Sequence, residues 1–182
     1  GFAPREKVSA LGMDKIAVLG AGAWGTALAR LLAERSRVAL WTWQADHARD
    51  LAQDRENRAF LPGYALSEHV SPTADMTEAV TGAGIVVVAV PSDAVRATLT
   101  AAGPSLAPDA TLVVVAKGIE PGTLMLLSEV TVDVLGPAAE ERAVFLSGPS
   151  FALEVARGLP TNLVAAGRNA ERSLLVQQRF AS

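Results

Sequence analysis

Ile16-Ala17-Val18-Leu19-Gly20-Ala21-Gly22-Ala23-Trp24-Gly25-Thr26 is the stretch whose reading decides the fold. A short apolar run leads into G-x-G-x-x-G. Leu28, Leu31 and Leu32 then follow at i, i+3, i+4 spacing within Ala23–Arg35. Strand, glycine turn and helix in that order give the three glycines a mechanism. Gly20 permits the tight turn, Gly22 lets a pyrophosphate approach the backbone, and Gly25 lets the helix pack close to the strand. The free N–H groups of the helix start, helped by the helix dipole, then face the anion. Trp24 is the odd member of the loop; it either covers a ligand or plugs against the domain.

Outward from this motif, short apolar runs alternate with helical patterns. The runs are Ile16–Leu19, Val38–Trp41, Ile85–Val90, Thr111–Ala116, Ala143–Leu146 and Asn162–Ala166. Ile85–Val90 and Leu112–Val115 are continuous rather than alternating, as expected of strands buried on both faces. Helices are predicted over Asp93–Ala102 with Ser92 as N-cap, over Gly122–Leu135, over Phe151–Arg157 capped by Ser150, and over Asn169–Ser182. The pattern predicts an α/β fold: a doubly wound, mostly parallel Rossmann-type sheet with helices on both faces. Ligands on such sheets bind at the carboxyl ends of the strands, so the residues just after each run are the candidates for chemistry.

After the second run come Thr42, Trp43 and Gln44, with no acid at the strand end to hold a ribose 2′-hydroxyl. That absence permits NADP, yet no Arg takes the acid's place. Thr42, Trp43 and Gln44 can bond to or stack on an adenosine. His47 and Arg49 either reach a 2′-phosphate or form a solvated helix face. Val90-Pro91-Ser92 starts a helix beside the expected cofactor. Lys117, at the end of a buried strand, should be costly to place there unless an anion pairs with it, or else it reaches past the sheet rim into water. Ser147-Gly148-Pro149-Ser150-Phe151-Ala152 offers a rigid turn and a second small anion site at Ser150. Glu154 is either a partner for Lys117 or an ordinary exposed residue. In Asn57–Gly63, Phe60 and Leu61 are expected to tuck into the core.

Composition narrows the alternatives. The 182 residues are 50% hydrophobic and 19% charged, which reads as a globular domain, and a net charge of −3 gives no field for nucleic acid. There is no cysteine, so disulfides and thiolate sites are excluded, and a reducing cytoplasm is the expected location. His47 and His69 have no ligand spacing, so no metal is expected. No apolar run approaches the roughly 20 residues of a membrane helix. Residues 1–14 are expected to be a loosely ordered extension, with Met13 a natural start and residues 15–182 the dinucleotide-binding domain.

Taken together, these segments resemble the bacterial NAD(P)-dependent glycerol-3-phosphate dehydrogenases. The match runs through Gly20–Thr26, Asn57 with Phe60-Leu61-Pro62-Gly63, Val90-Pro91-Ser92, Lys117-Gly118-Ile119-Glu120, Ser147–Ala152, Glu154-Val155-Ala156 and Gly158-Leu159-Pro160-Thr161. The resemblance implies interconversion of sn-glycerol 3-phosphate and dihydroxyacetone phosphate. It places Ala23, Trp24, Trp43, Lys117 and Ala152 at the cofactor, beside Gly20, Gly22, Gly25 and Pro91 from the residue reading. It places Lys117, Gly148 and Ser150 at the substrate, Lys117 assisting the chemistry. It favours NADPH, although many relatives carry a basic residue where Trp43 stands. It also implies a following all-helical domain that supplies the acid/base lysine. No segment of the chain matches that domain, so the chain reads as part of a longer protein, with a homodimer as the candidate full-length assembly. The rival readings are another two-domain NAD(P) dehydrogenase, of ketopantoate, 2-hydroxyacid or sugar-nucleotide type, and a non-catalytic nucleotide-sensing module.

Overall fold

The structure, a computed structural model, describes residues 14–148 and 151–181. The extension (apart from Asp14) and the capping and anion-binding roles of Ser150 therefore lie outside the described residues. β1 (Lys15–Leu19) is followed by α1 (Ala23–Leu32), β2 (Arg37–Trp41) and α2 (Ala45–Asp54). A hairpin of β3 (Glu56–Asn57) and β4 (Leu61–Ala65) precedes β5 (Val70–Thr73) and α3 (Met76–Val80). Then come β6 (Ile85–Val88), α4 (Val95–Ala102), β7 (Thr111–Val114), α5 (Leu127–Leu135), β8 (Ala143–Ser147), α6 (Ala152–Ala156), β9 (Val164–Gly167) and α7 (Ala170–Phe180).

Seven strands form one sheet in the order β5-β2-β1-β6-β7-β8-β9. Every neighbouring pair is parallel except β8–β9. The expected doubly wound α/β sheet is what the chain forms. Its continuous apolar runs have a simple cause. Ile16, Val18, Val87 and Val113 point to the face covered by α1 and α7, where Leu28, Leu32, Val176 and Phe180 meet them. Ala17, Leu19, Val86 and Leu112 point to the opposite face, where Ala79, Val80 and Ala102 lie; Val88 and Val114 meet Val95, Leu99 and Val130 there. Each such Val or Leu removed from water contributes about 1.5–3 kcal/mol. Between β1 and β6 the strand order reverses, and the pairings Leu19 with Trp41, Leu19 with Val88 and Val88 with Val114 align the carboxyl ends of four strands there.

Several expected boundaries are corrected. Ser92 is not a helix cap: Ser92–Ala94 make a 3-10 turn and α4 begins at Val95. No helix runs from Gly122, because Gly122 and Leu124 both have positive φ; α5 starts at Leu127, with the Glu129 carboxylate accepting the Leu126 N–H at 2.7 Å. α6 is shorter than Phe151–Arg157, with Phe151 flanking it. Asn169 does open the last helix, its side chain accepting the Arg172 N–H. The sheet has a strand that pattern reading passed over, β5, which carries Pro72 and sits at the sheet edge where proline is tolerated. Leu61 is buried as expected, but Phe60 is half exposed and lies edge-on against the His47 ring instead of in the core.

Candidate functional site

The glycine loop leaves β1 pressed against the exit of β6. Gly20 has φ +119°, and a Cβ there would stand 2.8 Å from the Ala89 carbonyl carbon. A Cβ on Gly25 would stand 1.8 Å from the Gly20 carbonyl oxygen, so only glycine lets α1 start this close to the strand. Gly22 is different: nothing lies within 4 Å of the corresponding position, so its backbone is open to an approaching group. The first turn of α1 carries no acidic side chain to oppose an anion. An open backbone at a helix start fits a diphosphate on general grounds.

Around this loop the strand ends enclose a cleft of about 400 Å³. Gly22, Ala23 and Trp24 form one wall, Pro91 and Lys117 another, and Phe151 and Ala152 a third. The structure thus brings together Ala23, Trp24, Pro91, Lys117 and Ala152 from four separate segments. Trp24 lines the cleft and also packs on the core, so the plug reading holds and its indole is placed where a ligand would meet it. Lys117 is exposed, as in the second of its two readings. The chain has left the buried sheet by Ala116, and the Lys117 ammonium reaches over the rim to donate to the Gly148 carbonyl at 2.9 Å. Gly148 is therefore beside Lys117, and a Cβ there would stand 2.3 Å from the Asn162 carbonyl oxygen. Glu154 is half-buried, and among the described residues it forms no ion pair with Lys117.

Trp43 stands apart from this cleft, 75% exposed on the rim past β2, where a neighbouring hollow of about 620 Å³ opens. The Gly20 N–H donates to the Trp41 carbonyl at 3.0 Å, which ties that rim to the glycine loop. A larger hollow of about 760 Å³ lies at the other edge of the sheet, against α5 and β9. It shares no residue with the strand ends around the glycine loop, so the chemistry is assigned to the smaller cleft. Among the described residues no cluster of His, Asp and Glu could hold a metal, and no helix is long and apolar enough to cross a membrane.

Residues 15–173 match the family described as NAD-dependent glycerol-3-phosphate dehydrogenase N-terminus. The chain belongs to this family. It is 47% identical over 169 residues to the glycerol-3-phosphate dehydrogenase (NAD(P)+) of Syntrophomonas wolfei subsp. wolfei, a match covering 92% of this chain and 49% of that protein. The corresponding protein of Corynebacterium glutamicum is 42% identical over 171 residues, covering 93% and 51%. The crystal structure of glycerol-3-phosphate dehydrogenase from Coxiella burnetii superposes with a TM-score of 0.86 at 32% identity, over 93% of this chain and 51% of that one. The chain spans about half the length of the curated relatives it matches.

Two devices in this family member escaped sequence reading. Asn57, 1% exposed, holds the glycine loop from below. Its amide nitrogen donates to the Ala21 carbonyl at 2.8 Å and to the Thr26 hydroxyl at 2.7 Å. Its oxygen accepts the Phe60 N–H and faces His47 Nε2, both at 3.2 Å. On the other side, Arg96 of α4 forks onto Glu120, at 2.8 Å and 3.0 Å, and also pairs with Asp133 of α5. This joins the element that follows Pro91 to the loop that follows Lys117. The Arg96 fork and then the Thr123 hydroxyl hold the Glu120 carboxyl below the usual carboxylate range, and Glu120 in turn holds the Arg96 guanidinium above its ordinary value. The only signal for either device was the set of motif positions Asn57 and Glu120; their partners lie far off in the chain.

Proposed function

We propose that this chain binds a nicotinamide dinucleotide in the cleft beside Gly22. Within a longer protein it would serve hydride transfer between NAD(P) and carbon 2 of sn-glycerol 3-phosphate or dihydroxyacetone phosphate. The observation that carries this reading is the convergence of the open Gly22 backbone, Trp24, Pro91, Lys117 and Ala152 on one cleft at the switch point of the sheet. Bound there, the nicotinamide ring supplies the hydride donor or acceptor.

The chain's own residues would supply position and charge. N–H groups at the start of α1 hold the diphosphate, and Trp43 and Gln44 flank the adenosine. Trp24, Pro91 and Ala152 wall the nicotinamide end against water. Lys117, poised beside Gly148, polarises the substrate's carbinol or carbonyl oxygen or holds its phosphate. The proton exchanged at the carbinol oxygen belongs to a lysine of the helical domain that the family resemblance implies. The cysteine-free composition fits the reducing cytoplasm as the place of action.

Calorimetric titration with NADH and NADPH, paired with a turnover assay on dihydroxyacetone phosphate, tests the reading. Binding of at least one dinucleotide with negligible turnover by these 182 residues is the expected result. No binding of either, or turnover at the rate of a complete enzyme, would overturn it.

A further inference from the structure

We infer that the rim past β2 reads the adenosine ribose as a 2′-hydroxyl, so that this chain takes NAD(H) in preference to NADP(H). The inference rests on the cofactor reading above. In doubly wound sheets the group that meets the ribose 2′-position stands just past the second strand. Here that place is the hollow of about 620 Å³ bordered by Trp43, Gln44, Asp46, His47, Asp50 and Phe60. Two carboxylates border it, and among its described lining residues there is no Lys and no Arg.

The nearby cations each face another group, Arg49 a carboxylate at the hollow's own border. Arg49 is paired with Asp46 and Arg58 with Asp54, while Arg55 donates to the backbone carbonyls of Leu66 and Val70. His47 is committed at both ring nitrogens. Because the Asn57 amide nitrogen uses its two N–H bonds on Ala21 and Thr26, the oxygen must be what faces His47 Nε2, and Nε2 must donate. Nδ1 meets the Thr42 hydroxyl at 3.3 Å. Turning the ring toward a phosphate would break both bonds and strip Asn57, which supports the glycine loop, of a partner. Of the two readings of His47 and Arg49, these bonds favour the one without a 2′-phosphate role.

A phosphate monoester carries roughly −1.5 to −2 charge at neutral pH. Placed in this hollow it would face Asp50 and the Asp46–Arg49 pair, with no Lys or Arg among the lining residues to receive it. A hydroxyl can instead donate to a carboxylate or to the Gln44 side chain, and the exposed Trp43 indole offers a stacking face to the adenine.

Calorimetric titration of the whole chain with NADH and NADPH at low and moderate salt tests this. NADH should bind about tenfold tighter or more. The ratio should shrink as salt rises and should shrink again in an Asp46→Asn/Asp50→Asn variant. NADPH binding as tightly as NADH, or more tightly, overturns the inference and leaves the dinucleotide reading standing. A preference for NADH that neither salt nor the variant moves overturns the role of the two carboxylates. Binding of neither nucleotide overturns the cofactor reading and this inference together.

Discussion

On the β2 side the glycine loop is held by Asn57, a neutral amide sealed from water that satisfies every one of its bonding positions. On the β6–β7 side the cleft walls are held by Arg96 and Glu120, a charged pair in which the Arg96 side chain is 34% exposed. The two anchors do similar geometric work with opposite sensitivities. A buried amide carries no charge for salt to screen, but losing it leaves its partners stranded without water to replace it. The ion pair is solvated on its Arg96 side while the Glu120 carboxylate is buried, and it answers to protons and ionic strength.

The sharpest way to break this comparison is to damage the loop on which both flanks lean. Gly25→Ala puts a carbon against the Gly20 carbonyl oxygen. It should destabilise by more than about 4 kcal/mol, or prevent folding altogether, as read by urea unfolding. A smaller, one-sided effect is expected of Asn57→Leu. It strands the Thr26 hydroxyl, the Ala21 carbonyl and His47 Nε2, and should cost about 1–3 kcal/mol.

Glu120→Gln probes the other flank through pH. The Glu120 carboxyl is held low in the folded chain. Its contribution is therefore present above its unfolded value of roughly 4.3 and is lost as pH falls through the lower folded value. The variant should be less stable near neutrality and should lose less on acidification, as measured by thermal unfolding across pH 2–6 (a range of roughly this width brackets the titration). Identical acid limbs in the variant and the parent would erase the distinction between the flanks. The smallest stability effect is expected of Lys117→Met. Its unfolding midpoint should stay within about 0.5 kcal/mol of the parent, while affinity for a dinucleotide falls about two- to fivefold by calorimetry.

How much could be read beforehand follows the same divide. The glycine loop was legible because its logic is local: strand, turn and helix lie within Lys15–Leu32, and backbone geometry alone demands Gly20 and Gly25. Pro91, Lys117 and Gly148 were legible as positions because each follows an apolar run. The exposure of Lys117 was not, since it depends on where the chain leaves the sheet. Neither anchor was legible as a bond. Asn57 lies 36 residues from Ala21, and Arg96 lies 24 from Glu120, distances at which no periodicity links partners. β5 was hidden by its shortness and by Pro72, and the early start assigned to α5 ignored the positive-φ turn at Leu124. Asp46 and Asp50 carried no signal in the sequence, and only the hollow beside Trp43 gives them something to face.

The bond from Lys117 to the Gly148 carbonyl has a kinetic meaning. A lysine waving freely in solvent must be frozen when it captures an anion, and that ordering opposes capture by up to about 2 kcal/mol. Here the ammonium is already parked at the mouth of the cleft, and among the described residues only the Gly148 carbonyl accepts from it. Arrival of a negatively charged oxygen then requires a short swing of one terminus, not a search through rotamers, so the charge is waiting before its guest appears.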